Sequence, residues 1–259
     1  MISKQKMSYI RQLQQKKFRE ETGHYIVEGW KSIDEAVNAG VPVETIVFDE
    51  MNADQERLLA KFEKHARQVL AASRRDLDSL SDTVTSQGVI AVVAKFDPEK
   101  HVDSIRSDAT LIVALDGIND PGNLGTIIRT CDWFGVDGII IGRHSVELYN
   151  PKVVRATMGS LFHLPVVPEV NLPEFLSRSK KNGFSIVSAE VTDSKDIRTA
   201  QLPERCAIVI GSESHGVSEQ ISLMADMRLS IPQFGKAESL NAAIACGIIL
   251  ASIKLKSFP

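Results

Sequence analysis

Short runs of consecutive apolar residues alternate along the chain with stretches whose apolar positions recur every three or four residues, the pattern of strands alternating with helices. From Lys4 to Thr22, Ile10, Leu13 and Phe18 share one side of an expected helix with cations on the other, ended by Gly23. The pattern then predicts extended chain at 25–27, 45–48, 68–71 and 88–96, with helices at 30–38, 56–67 and 75–80. Beyond residue 107 it predicts buried strands at 111–115, 137–141, 164–167, 184–191, 207–210 and 227–231, and helices at 123–134, 151–159 and 173–181. From Ala237 onward it predicts a single helix, apolar nearly all round and so covered on more than one face. Polar, proline-containing Asp97-Pro98-Glu99-Lys100-His101 divides the chain into a small α/β domain (1–97), a linker (98–106) and a larger α/β domain (107–259).

Composition adds a few bounds. With 259 residues, 43% of them apolar, the chain can bury sizeable cores. A net charge of −3 argues against indiscriminate coating of nucleic acid. The first nineteen residues nevertheless hold Lys4, Lys6, Arg11, Lys16, Lys17 and Arg19 and no acid, a local arm suited to phosphates. Cys131, Cys206 and Cys246 lie far apart in apolar or helical stretches, as buried free thiols do, and no metal site is expected. No signal-peptide core and no apolar run of about 18 residues is seen, so the expected compartment is the cytoplasm and no membrane partner is expected.

Candidate chemistry collects in three loops, each after a buried strand. The first, Asp120-Pro-Gly-Asn-Leu-Gly-Thr-Ile-Ile-Arg-Thr130, places Asn123 as the cap of a helix and Arg129 in its second turn. Taken alone these two residues are equally an ordinary cap and a solvated charge. The phosphate-loop pattern fails for want of its lysine, and the dinucleotide fingerprint fails because Gly122 and Gly125 stand alone and no acid ends the following strand. The second loop, Ile210-Gly-Ser-Glu-Ser-His-Gly-Val-Ser218, carries an exposed carboxylate between two glycines, and His215 has no companion at metal-ligand spacing. The third, Ile231-Pro-Gln-Phe-Gly-Lys-Ala-Glu-Ser-Leu-Asn-Ala-Ala243, offers Ser239 as the cap of the last helix and Asn241 as an early polar residue.

In this order and spacing the three loops resemble the motifs of the SpoU (TrmH-like) family of RNA ribose 2′-O-methyltransferases, of the SPOUT superfamily. Residues 16–29 are similar to the L30e-like substrate-binding domain that precedes many such catalytic domains. The resemblance implies a C-terminal parallel-sheet domain with a deep trefoil knot, an exception to the unknotted rule. It implies an S-adenosyl-L-methionine pocket at Ser188, Ala189, Glu190, Gly211, Ile231, Ser239 and Leu240. Arg129, Asn123, Glu213, Ser239 and Asn241 are implied as the catalytic set, with Asn123 orienting the arginine or the ribose. A permanently charged guanidinium suits stabilisation of a developing alkoxide, with proton removal set up by an RNA phosphate as the other version. Also implied is a homodimer using the C-terminal helix. Lys16, Lys17 and Arg19 are the expected phosphate contacts to structured RNA. The added domain favours 23S ribosomal RNA over transfer RNA as the substrate. A non-catalytic RNA-binding relative would be expected to have lost Arg129 or the 211–216 loop, and both are present.

Overall fold

The computed structural model describes residues 2–50, 56–81, 86–97, 102, 105 and 109–256. They form two compact units, one built from 1–96 together with 148–163, the other from 97–147 and 164–259. The first unit is therefore not the contiguous segment that a cut near residue 97 leads one to expect, since a piece of the later chain packs with it. The linker expected at 98–106 lies, apart from residues 102 and 105, outside the described residues.

In the first unit, α1 (Lys4–Gln12), α2 (Lys16–Thr22), α3 (Trp30–Asn38), α4 (Glu56–Phe62) and α5 (Arg74–Leu80) accompany β1 (His24–Glu28), β2 (Val43–Asp49), β3 (Val69–Ala72) and β4 (Val89–Ala94). The sheet order is β1-β4-β2-β3, with only β2 and β3 parallel. Ile26, Val47, Ile90 and Val92 pack with Ile10, Leu13, Leu77 and Leu80 in one core. Tyr25 instead meets Tyr149 of the later segment, ring centroids 4.6 Å apart, and α7 (Pro151–Ala156) lies against β1.

The single helix expected over 4–22 is broken at residues 13–15, and the contacts at the break correct the expectation for Arg19. Its side chain is 2% exposed, and its Nη1 donates to the Leu13 carbonyl at 2.8 Å. A carbonyl left without a partner where α1 ends is thereby satisfied. Arg19 holds the turn and cannot be one of the phosphate contacts. Lys16 and Lys17 are exposed on α2, each within reach of the glutamate one turn on.

The second unit is organised on β5 (Leu111–Asp116), β6 (Gly138–Gly142), β7 (Val166–Val170), β8 (Ser185–Ala189), β9 (Lys195–Asp196), β10 (Cys206–Gly211) and β11 (Met227–Ser230). Every pairing is parallel, in the order β7-β6-β5-β10-β8-β11-β9. Central strands covered on both faces read as unbroken apolar runs, which is why β5 and β10 are buried almost throughout. Helices α6 (Pro121–Trp133), α8 (Leu172–Lys181), α9 (Glu219–Met224) and α10 (Ala242–Lys256) complete the layers, and α6 packs against α10. Six-residue α9 falls where no helix is expected, because only Ile221 of its residues is buried and no apolar stripe marks it. Helix α10 begins at Ala242, five residues later than the apolar spacing suggests. Cys131, Cys206 and Cys246 are buried and free. Burial pushes the Cys131 thiol well up, and the Cys206 thiol up to about 11. No helix among the described residues is long and apolar enough to cross a membrane.

Candidate active site

Parallel strands deliver the loops that follow them to one edge of the sheet. The loops after β5, β10 and β11 are those singled out by sequence. Asp116, at the end of β5, accepts from the Ser218 N–H at 2.8 Å, tying the first loop to the second. The second is closed on itself, with Ser212 and Gly216 exchanging backbone hydrogen bonds of 3.1 and 2.9 Å. This closure explains Gly211, because a Cβ there would lie 2.0 Å from the Gly216 carbonyl carbon.

The cap of α6 is Asp120, not Asn123. Its Oδ1 accepts from the Asn123 N–H at 2.8 Å, and Pro121 takes the first helical position. The cap and the start of α6 thus fall three residues earlier than expected, and Arg129 lies in its third turn. The Asn123 side chain is freed for a different task. Its Nδ2 donates to Glu213 Oε1, and its Oδ1 accepts from Asn241 Nδ2 at 2.9 Å. Asn241 in turn caps α10, its Oδ1 accepting from the Ala243 and Ile244 N–H groups at 3.0 and 3.2 Å. Ser239, expected as that cap, lies three residues before the helix on an exposed loop.

Asn123, Glu213 and Asn241 are therefore brought together, one from each loop. Arg129 is not hydrogen-bonded to them. Six residues at about 100° each turn its side chain about 120° round the helix from Asn123. It is exposed and, among the described residues, has no hydrogen-bond or ion-pair partner. Of the two roles expected for the Asn123 amide, orienting the arginine or the ribose, no bond to the arginine is present, and its contacts are to Glu213 and Asn241. His215 is exposed beside Ser214, its Nδ1 2.8 Å from the serine hydroxyl. Among the described residues no group of three or more His, Cys, Asp and Glu could hold a metal ion.

Between the second and third loops lies a cavity of about 380 Å³. Six of the seven residues expected around a cofactor line it: Ala189, Glu190, Gly211, Ile231, Ser239 and Leu240. The seventh, Ser188, is wholly buried and stands behind the wall, its hydroxyl donating to Glu190 Oε1 at 2.5 Å. The Ser222 hydroxyl donates to Glu190 Oε2 at 3.1 Å and the Arg228 guanidinium lies 3.7 Å away, so the carboxylate is held in one orientation. Gln233, Phe234, Gly235, Ala237 and Glu238 also line the cavity. Ala237 and Glu238, expected on a helix, lie before it. Asn241 immediately before an Ala-rich apolar run is the capping signal that identifies 237–241 as loop.

The volume lies within the range of about 300–1,000 Å³ usual for organic ligands. Apolar Leu229, Ile231, Leu240 and Ile249 suit a flat base, and the braced Glu190 carboxylate suits hydroxyl or ammonium donors. These features fit a nucleoside-type cofactor.

Residues 110–251 match the model of the SpoU rRNA Methylase family, and residues 4–91 match an MRM3-like substrate binding domain. The chain is 30% identical over 251 residues to the 23S rRNA (guanosine(2553)-2'-O)-methyltransferase RlmP of Bacillus subtilis (strain 168), covering 96% of each. Among solved structures it resembles the AdoMet-bound rRNA methyltransferase from Sinorhizobium meliloti, with TM-score 0.88, 30% identity, and 100% and 97% of the two chains covered. It also resembles the SpoU methyltransferase AviRb from Streptomyces viridochromogenes in complex with AdoMet, with TM-score 0.86, 26% identity and 98% of each chain covered. Fold and site together define an RNA methyltransferase preceded by a substrate-binding domain. The chain belongs to the SpoU rRNA methylase family.

Proposed function

We propose that this protein methylates a ribose 2′-hydroxyl of large-subunit ribosomal RNA, using S-adenosylmethionine held in the cavity between the loops after β10 and β11. The observation that carries this reading is the joining of Asn123, Glu213 and Asn241 from three loops beside that cavity. The relative from Bacillus subtilis is named for 2′-O-methylation of 23S rRNA, and two similar structures hold AdoMet.

Bound cofactor supplies an electrophilic methyl group on a sulfonium. The chain supplies position and charge. Ala189, Gly211, Ile231 and Leu240 would form the walls around the cofactor, and Glu190, braced by Ser188 and Ser222, would accept from hydroxyl or ammonium donors on it. The Asn241–Asn123–Glu213 chain fixes the loops so that the ribose is presented in one geometry. Ser239, exposed at the cavity rim, is the hydroxyl available to the ribose or the cofactor. No carboxylate among the described residues pairs with Arg129, which leaves its charge for the oxygen as the proton is lost.

A homodimer belongs to the same proposal. Trp133 is 84% exposed at the end of α6, and on α10 Ile244, Ile248 and Leu255 are 56%, 36% and 69% exposed. These residues lie on the two helices packed together and give an apolar face that a second copy would cover. Lys16 and Lys17 are the phosphate contacts of the substrate-binding domain, and their contribution should fall with salt. The C-terminal helix is proposed to be threaded as the knot of this family, and the cytoplasm, where ribosomes are made, as the working compartment.

Incubation with tritiated S-adenosylmethionine and separate pools of unmodified large-subunit rRNA, small-subunit rRNA and tRNA tests the substrate. Label in the large-subunit pool alone is expected. Label in tRNA alone would replace rRNA as the substrate, and no label beside demonstrable cofactor binding would point to a non-catalytic RNA-binding protein.

A further inference from the structure

The loop after β11 carries Phe234 at the cavity rim, 88% exposed, the most exposed large apolar side chain among the described residues. A single exposed apolar residue needs no explanation. This one is held in place from both directions. Gln233 Nε2 donates to the Gly235 carbonyl at 3.1 Å and the Ala237 carbonyl at 2.8 Å, stapling a turn with Phe234 inside it. On the other side the Arg198 guanidinium lies 5.8 Å from the ring centroid. Arg198 is itself fixed by the Asp196 carboxylate, with Nε to Oδ2 at 2.9 Å and Nη2 to Oδ2 at 2.5 Å. Ring and guanidinium thus form a preorganised aromatic and cationic pair at the mouth of the cavity, with most of the ring still open to water.

We propose that Phe234, supported by Arg198, is the stacking platform for a base of the substrate RNA at or beside the methylated nucleotide. This rests on the ribose methylation reading above. A ribose whose 2′-oxygen is brought to the cavity carries its base with it, and an unstacked base must be covered by something flat. Every base has a π-face, so an aromatic side chain accepts any of them, and a neighbouring guanidinium serves both the base plane and an adjoining phosphate. Exposed Lys195 and Lys236 lie three and two residues along the chain from Arg198 and Phe234, cations within reach of a backbone whose base is stacked on the ring, while Asp196 is held by Arg198.

The test uses the full chain and unmodified large-subunit rRNA. Phe234→Ala should raise the KM for RNA about 5- to 100-fold, the range expected for one lost base stack, and by a larger factor than any loss of AdoMet affinity measured by calorimetry. Phe234→Trp should restore the KM and add an indole emission that RNA quenches beyond the quenching of the parent protein. The proposal is overturned if Phe234→Ala weakens AdoMet binding and leaves the RNA KM unchanged, which would make Phe234 a cofactor wall. It is also overturned if the substitution alters only the oligomeric state by light scattering, which would make it a protein contact. Should the parent protein methylate no RNA, the ribose methylation reading fails by itself, and the quenching titration still decides whether RNA reaches Phe234.

Discussion

Asn241 and Asn123, 118 residues apart in sequence, meet through a hydrogen bond from Asn241 Nδ2 to Asn123 Oδ1. Neither amide can turn over freely. Glu213 needs a donor from Asn123, so Asn123 must show its oxygen to Asn241, whose own oxygen is committed to the backbone of α10. Three loops are thereby set by one chain of directed bonds. Asn241→Ala should remove a helix cap, costing about 1 kcal/mol, and lower the midpoint of thermal unfolding by a few degrees. Asn241→Asp separates the two roles. It keeps the cap and so most of the stability, but sets a carboxylate against Asn123 Oδ1 and should lower methylation about as much as Asn241→Ala. Parallel melting curves and initial rates distinguish the effects.

Arg129 contributes charge rather than structure, because it is exposed and has no partner among the described residues. Arg129→Ala should leave both the melting temperature and AdoMet affinity unchanged and reduce methyl transfer about 10²- to 10³-fold, as expected for loss of a charge-stabilising donor. A variant that methylates at the parental rate removes Arg129 from the reaction.

Asp137 anchors the start of β5. Its Oδ2 accepts from the Thr110 N–H and the Leu111 N–H, each at 2.8 Å, and from the Thr110 hydroxyl at 3.0 Å. Burial raises its pKa, but these donors and the Lys254 ammonium outweigh it, leaving the carboxyl below its usual value. A depressed folded-state pKa stabilises above the unfolded value of about 3.9 and loses that stabilisation as pH falls through the folded value. Asp137→Ala should therefore melt a few degrees below the parent at pH 7, with the gap closing as pH falls below about 4. A gap independent of pH would contradict this.

The apolar face on α6 and α10 predicts a dimer that single charges break. Light scattering should give twice the chain mass for the parent at micromolar concentration, and Trp133→Arg or Ile248→Glu should shift it toward the monomer. A monomeric parent protein would remove the second copy from the account.

Much of this architecture is legible in the chain because its central strands are buried on both faces. Contiguous runs such as Leu111–Leu115 leave little else for the backbone to be, and strand-to-helix loops rich in Gly, Pro and Asn mark where a parallel sheet presents its ligands. The misreadings have local causes. A cation on a helix does not reveal whether it faces water, so Arg19 read as a phosphate contact when it closes a turn from inside. Asp120, Asn123, Ser239 and Asn241 are all good capping residues, and only the three-dimensional path decides which pair acts. Ala237, Leu240 and Ile244 keep helical spacing across a loop end, which hid the true start of α10. The packing of 148–163 with the N-terminal unit depends on contacts such as Tyr25 with Tyr149, which no periodicity records.

The position of the methyl group distinguishes ribose from base methylation most directly. Large-subunit rRNA labelled by the protein from S-adenosylmethionine, digested to nucleosides and resolved by mass spectrometry, should yield one 2′-O-methylated nucleoside, with the adjacent phosphodiester resistant to alkali. A methyl group on a base, with the ribose hydroxyl free and the bond alkali-labile, would contradict the account.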